Sequence, residues 1–159
     1  MQLETEVFMM NSNQEYTRRL FLAMSRIDEV YYALAKSNGV KENVLVLLYV
    51  LRDGTPRTQK QICEEWLIPK TTINTAVREC VGARYLSYIA SEDGREKRLV
   101  LTDAGKKYAE KILSPVETIE AVVIEKTLHQ FSPEFIRALE LYADSLKEET
   151  DKLLLQDCK

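Results

Sequence analysis

Between Ile68 and Gly105 the chain concentrates side chains that can hydrogen-bond to nucleic acid. Lys70, Thr71, Thr72, Asn74, Thr75 and Arg78 lie close together, and Arg95, Lys97 and Arg98 follow an Asp93-Gly94 pair. An Arg guanidinium can pair with guanine O6 and N7, and an Asn amide with adenine N6 and N7. Lys and Thr suit phosphate oxygens, as do the open N–H groups at a helix start. Other chemistry is poorly represented. One histidine, His129, and three scattered cysteines, Cys63, Cys80 and Cys158, show no CxxC or Cys/His spacing. Neither a metal site nor a cofactor site is expected, and with no Ser/His/Asp set and no phosphate loop, catalysis is not expected either. His129 reads as a residue near a helix C-terminus, where its charge suits the dipole.

The elements that must position these residues can be read from periodicity. The spacing predicts a helix over 70–81. At 100° per residue Ile73, Ala76, Val77 and Cys80 gather on one side, and Thr71, Asn74, Thr75 and Arg78 on the other. A polar helix face taken alone is equally a solvated one, so the neighbouring elements decide its meaning. Tyr85–Ala90 and Lys97–Leu101 are rich in β-formers. Asp93-Gly94 between them is a type I′ hairpin signal, because both central residues of that turn need positive φ. Upstream, Thr58-Gln59-Lys60-Gln61 fits a capping box opening a short helix to about Trp66, and Pro69 permits a sharp re-entry. Residues 42–52 are apolar nearly all round, the pattern of a buried helix.

Long helices are expected at both ends. Over residues 12–37 Tyr16, Leu20, Met24, Ile27, Tyr31 and Leu34 form one apolar stripe, and Asn38-Gly39 is a stop signal. Thr102 caps a fifth helix, and Ser114-Pro115-Val116-Glu117 reads as a kink or restart within it. Ser132-Pro133-Glu134 opens a last helix expected to bury Phe135, Leu139, Tyr142, Leu146 and Leu153 along a heptad-like seam. A chain of 159 residues offers no obvious internal partner for two such stripes, which points to self-association.

Net charge is −3, so the protein is not basic overall. Residues 52–98 nevertheless hold nine Lys/Arg against seven Asp/Glu, a slightly basic segment in an acidic chain. No apolar run approaches the roughly 18 residues of a membrane span. The stretch MQLETEVFMM carries acids where a signal peptide has basic residues. A cytoplasmic protein with reduced thiols, making no membrane contact, is expected.

The central segment resembles the MarR family of bacterial transcription regulators. The resemblance rests on TTINTAVRE in the predicted recognition helix, on DGREKRLVLT with its Asp93-x-Arg95, and on Leu101-Thr102-Asp103-Ala104-Gly105, which matches the family's LTxxG. Two positions depart from the pattern. Arg84 stands where the family usually has Gly, and Pro69-Lys70 where its recognition helix often opens with Ser or Asp. The resemblance implies a mainly α fold with a small β-hairpin wing. Residues 41–102 would form a winged helix-turn-helix, and residues 1–37 with 103–159 a helical dimerisation domain. It implies a homodimer on an inverted-repeat operator in double-stranded DNA, and regulation that is most often repression.

In that frame Thr71, Asn74, Thr75 and Arg78 face base edges, while Lys70 and Thr72 face phosphates. Arg95 enters a minor groove whose negative potential attracts it. Asp93 braces Arg95 or Arg98, and Lys97 and Arg98 approach phosphates. The family's small aromatic effectors suggest a pocket drawn from Tyr16, Tyr31, Tyr32, Tyr49 and Trp66, although aromatics at helical spacing equally serve as core. Cys63 and Cys80 fall on core faces, and residues 1–37 hold no cysteine, so thiol sensing is not expected. The alternative is a winged-helix dimer that binds a protein and not DNA.

Overall fold

The computed structural model describes residues 2–90 and 96–156, with the backbone alone described for 2–11 and 156. Six helices and one hairpin follow in the order α1 (Gln2–Ser37), α2 (Glu42–Leu51), α3 (Gln59–Glu65), α4 (Lys70–Gly82), β1 (Leu86–Ala90), β2 (Lys97–Leu101), α5 (Asp103–Gln130) and α6 (Glu134–Gln156). The fold class is therefore mainly α with a two-stranded antiparallel wing. α1 begins ten residues before the predicted start, since 2–11 contain neither Gly nor Pro to stop it. The chain divides into two compact units, 1–116 and 117–159.

In the first unit α2 is the centre. Val44, Leu45, Leu47, Leu48, Val50 and Leu51 are all buried, as its unbroken apolar pattern requires. The core adds Ala35, Ile62, Ile73, Val77, Leu86, Leu99, Ile112, Leu113 and Val116 from the surrounding elements. The capping box is present: Thr58 Oγ1 accepts from the Gln61 N–H at 3.1 Å, and Gln61 Oε1 accepts from the Thr58 N–H at 2.8 Å. The α1 stripe reaches this core only at its end. Tyr31 and Leu34 pack against it, whereas Tyr16, Met24 and Ile27 remain exposed.

Three helices end with the same device. The N–H of Val40 donates to the Ala35 carbonyl, that of Ile68 to Cys63 and that of Tyr85 to Cys80, each spanning five residues. Such a bond, the mark of a Schellman motif, needs the residue before the donor in the left-handed region. Gly39 supplies it after α1 (φ 70°), but Leu67 (φ 52°) and Arg84 (φ 60°) do so after α3 and α4.

Of the kink or restart expected at Pro115, the restart does not occur: α5 runs through the proline as one helix. Proline inside a helix costs about 3 kcal/mol through its missing N–H and its ring clash. Ile112, Leu113 and Val116 flank it and are all buried. At about 1.5–3 kcal/mol for each buried side chain, keeping them on the core outweighs the break.

The second unit contains the end of α5 and α6. Ser132 Oγ accepts from the Glu134 N–H at 3.2 Å and so opens α6 where predicted. The expected burial of the α6 seam does not occur within this chain. Leu139, Tyr142, Leu146 and Leu153 stay exposed, and only Phe135 is half-buried. A stripe on one face of a single helix is covered only by a second apolar surface.

Candidate nucleic-acid interface

α4 sits on α2 and α3 through Ile73, Ala76, Val77 and Cys80, each at most 2% exposed. The opposite face carries Lys70, Thr71, Thr75 and Arg78, all exposed, with Thr72 and Asn74 half-buried beside it. This is the division that the 100° periodicity predicts. At the N-terminus Pro69 is the cap and provides no side-chain acceptor. The first N–H groups of α4 are therefore open to an outside anion such as a phosphate. Thr75 Oγ1 donates to the Thr71 carbonyl at 3.0 Å. With its proton engaged, Thr75 offers a methyl group and lone pairs to a groove.

Ion pairing removes several basic residues from the surface charge. Arg52 pairs with Glu110 at 2.9 Å, Lys60 with Glu64 at 3.8 Å, and Lys41 with Glu79 at 2.7 Å. Among the described residues Lys70, Arg78, Lys97 and Arg98 have no carboxylate partner. The cations on the outer face of α4 and on the wing strands thus keep their charge uncompensated by an ion pair.

Arg57 has a structural part that sequence reading missed. Its backbone pairs with Leu99 of β2, accepting from the Leu99 N–H at 2.7 Å. Its guanidinium donates to the Val50 carbonyl at 2.6 Å and to both Asp53 oxygens at 2.7 and 2.8 Å. The hydrogen bonds from Arg57, and then the Thr55 N–H, hold the Asp53 carboxyl well below the usual carboxylate range. The base of the wing is thus fastened to the end of α2, and Arg57 is unavailable to a ligand. The only sequence signal is an Asp four residues before an Arg, too common to single out.

The wing strands pair Leu86 with Leu101, Tyr88 with Leu99, Ile89 with Arg98 and Ala90 with Lys97. Successive strand residues point to opposite faces. Lys97 therefore shares a face with Tyr88, its Nζ 6.0 Å from the ring centre, while Arg98 lies on the other face beside Ile89. A flat surface meeting one side of the wing meets one of these two cations. The predicted turn with Asp93, Gly94 and Arg95 lies outside the described residues.

The aromatic candidates are dispersed in the single chain. Tyr49 and Trp66 meet edge to face at 5.7 Å, and both are partly exposed. Tyr31 packs against the core, Tyr32 is exposed, and Tyr16 lies about 22 Å from Tyr31 along α1 at 1.5 Å per residue. Tyr16 borders an open groove with Arg19, Leu22 and Arg26. Burial pushes the Cys80 thiol up to about 11, and Cys63 is half-buried. Cys158 is outside the described residues. Among the described residues no group of His, Cys, Asp and Glu could hold a metal ion, and no helix is long and apolar enough to cross a membrane.

Residues 39–96 match the sequence profile of the MarR family. No curated protein matches the sequence. Among solved structures, a MarR family regulator from Neisseria meningitidis superposes with a TM-score of 0.68 at 25% identity, covering 87% of this chain and 96% of its own. Staphylococcus aureus MarR in complex with salicylate and kanamycin gives 0.62 at 18% identity, covering 88% and 93%. Overoxidised AbfR bound to DNA gives 0.61 at 14%, covering 87% and 97%. The matched central segment and a fold shared over most of the chain agree with the helix-turn-helix and wing described above: residues 39–96 match the MarR family, and the chain as a whole has the winged helix-turn-helix fold of MarR family regulators.

Proposed function

We propose that this protein is a homodimer that reads an inverted repeat in double-stranded DNA and represses transcription from it. The observation that carries this reading is α4: one face seals the core, and the other presents Lys70, Thr71, Asn74, Thr75 and Arg78 without a carboxylate partner among the described residues. Arg78 pairs with guanine, Asn74 with adenine and the Thr75 methyl with thymine, while Lys70 and Thr72 hold phosphates. Arg95 probes the adjacent minor groove, Asp93 shapes the wing, and Lys97 and Arg98 attach its two faces to the backbone. Two copies join through the exposed stripes of α1 and α6, and their recognition helices meet half-sites about 34–36 Å apart. Such a reader works beside DNA in the cytoplasm and is no enzyme. The DNA complex of AbfR supports the interface, and the salicylate complex of the staphylococcal protein supports a small aromatic effector. Tyr16, Tyr31, Tyr32, Tyr49 and Trp66 are the candidates for its pocket once a second copy is in place.

Selection of bound sites from random duplex DNA tests the reading. Recovery of an inverted repeat, with affinity that falls steeply as salt rises, supports it. A pool that never enriches overturns it and favours the protein-binding alternative. For the effector, phenolic acids that leave the melting temperature unmoved would remove that part of the proposal.

A further inference from the structure

Tyr88 stands beside a proposed DNA contact, Lys97, on one face of the wing. In the ladder Leu86 pairs with Leu101, Tyr88 with Leu99 and Ala90 with Lys97, so these residues share that face. At its inner end the face is core: Leu86, Leu99 and Leu101 are buried in the same cluster as Ile73, Ala76 and Val77 of α4. At its outer end it is open, with Tyr88 46% exposed and Lys97 exposed as well. Ser87, Ile89, Arg98 and Val100 occupy the opposite face. Tyr88 and Lys97 are diagonal neighbours across the strands, a spacing that aromatic and long side chains bridge. Ala90, directly opposite Lys97, is too small to stand between them. The lysine Nζ reaches 6.0 Å from the ring centre, the outer limit of a cation–π contact. Neither polar end is used within the chain. Among the described residues the Tyr88 hydroxyl makes no hydrogen bond and Lys97 no ion pair.

We infer that Tyr88 and Lys97 together hold one phosphate of the DNA backbone, the Tyr88 hydroxyl donating to a phosphate oxygen and the Lys97 ammonium supplying the charge. The inference rests on the DNA-reading function proposed above and adds Tyr88 to its contacts. A phosphate fits both groups at once. Its oxygens accept from an O–H and an N–H together, and its negative charge meets a cation that has no carboxylate of its own. The ring beside the ammonium narrows the arc through which a long, flexible side chain carries its charge. The face on which the pair lies is continuous with the core that seats α4. A length of backbone lying between α4 and the wing therefore meets Tyr88 and Lys97 first. Such a contact fixes register and carries no base preference of its own.

The test is a double-mutant cycle in the full chain on the selected inverted repeat, read by fluorescence anisotropy over a salt series. Tyr88→Phe keeps the ring and removes only the hydroxyl. It is expected to bind about tenfold more weakly, the loss of a hydrogen bond to a charged group. Its salt slope should stay that of the wild type, since no charge is removed. A similar loss is expected on a duplex with one altered base pair, because a backbone contact is blind to sequence. Lys97→Ala should weaken binding and lower the slope by about one. The double variant should lose clearly less than the product of the two single losses, because groups on one phosphate are not independent. Wild-type affinity in Tyr88→Phe, while the parent binds its site, overturns the inference alone, and so do single losses that simply multiply. A wild type that binds no duplex overturns both the inference and the function on which it rests.

Discussion

Thr102 holds the carbonyl of Arg84 at 2.7 Å while Arg84 itself takes a left-handed φ of 60°. The structure supplies a physical reason why a Gly would suit this position. The chain must reverse between the last turn of α4 and β1, and the Schellman closure demands αL there.

For an L-residue that conformation costs about 1–2 kcal/mol. Gly removes the strain but has more freedom to lose on folding, about 0.5–1 kcal/mol. Arg84→Gly is therefore expected to raise stability by about 0.5–1 kcal/mol, read from the urea midpoint, while Arg84→Val lowers it. A lower midpoint for Arg84→Gly would mean that the arginine side chain makes a contact outweighing the strain.

Gly105 faces the opposite constraint. Its φ is ordinary, yet a Cβ would meet the Tyr85 carbonyl, which is backbone and cannot swing aside. Gly105→Ala should destabilise the protein by about 1–3 kcal/mol, as overpacking does. Equal urea midpoints for the two proteins would show that the junction yields freely.

Base contacts and phosphate contacts should separate in binding titrations. Arg78→Ala is expected to cost about 1–3 kcal/mol and to relax preference at one base pair. Lys70→Ala should weaken binding evenly across sequences and lower the salt slope by about one. Fluorescence anisotropy on the selected site at several salt concentrations distinguishes them. Unchanged affinity of Arg78→Ala would remove that residue from the interface.

The α6 seam bears on assembly. Leu146 is 52% exposed in the single chain, so Leu146→Glu has little to disturb within it. Placed in a dimer interface the same charge is desolvated without a partner. Light scattering should give a dimer mass for the wild type and a monomer mass for Leu146→Glu. A variant with the wild-type mass would place the interface elsewhere.

Cys80 should stay unreactive at neutral pH, since its buried thiol ionises only near 11. In the unfolded chain a thiol ionises at about 8.5. The group's contribution to stability is thus complete below that value and is lost as pH rises from there towards 11. Iodoacetamide followed by mass spectrometry should label Cys63 well before Cys80 in the native protein. Stability should fall less between pH 8 and 10 in Cys80→Ala than in the wild type. Rapid native labelling of Cys80 would contradict its burial.

Much of this protein was legible in its sequence because local rules act over a few residues. The 3.6-residue period told the core side of α4 from its polar side, the Thr58–Gln61 spacing named a cap, and the β-rich runs named both strands. Those signals survive folding because a buried stripe and a capped helix start need only near neighbours. Tertiary structure decided what depends on distant ones. It carried α5 through Pro115, because Ile112, Leu113 and Val116 gain more on the core than the proline loses. It took Arg57 out of the basic surface by giving it Asp53 and the Val50 carbonyl. It placed Lys97 and Arg98 on opposite faces of the wing, a matter of register. It also brought Tyr85 onto Tyr108 across twenty-three residues of chain. No local pattern encodes that meeting, because it exists only once the end of α4 and the start of α5 have both been fixed by Thr102 and Gly105.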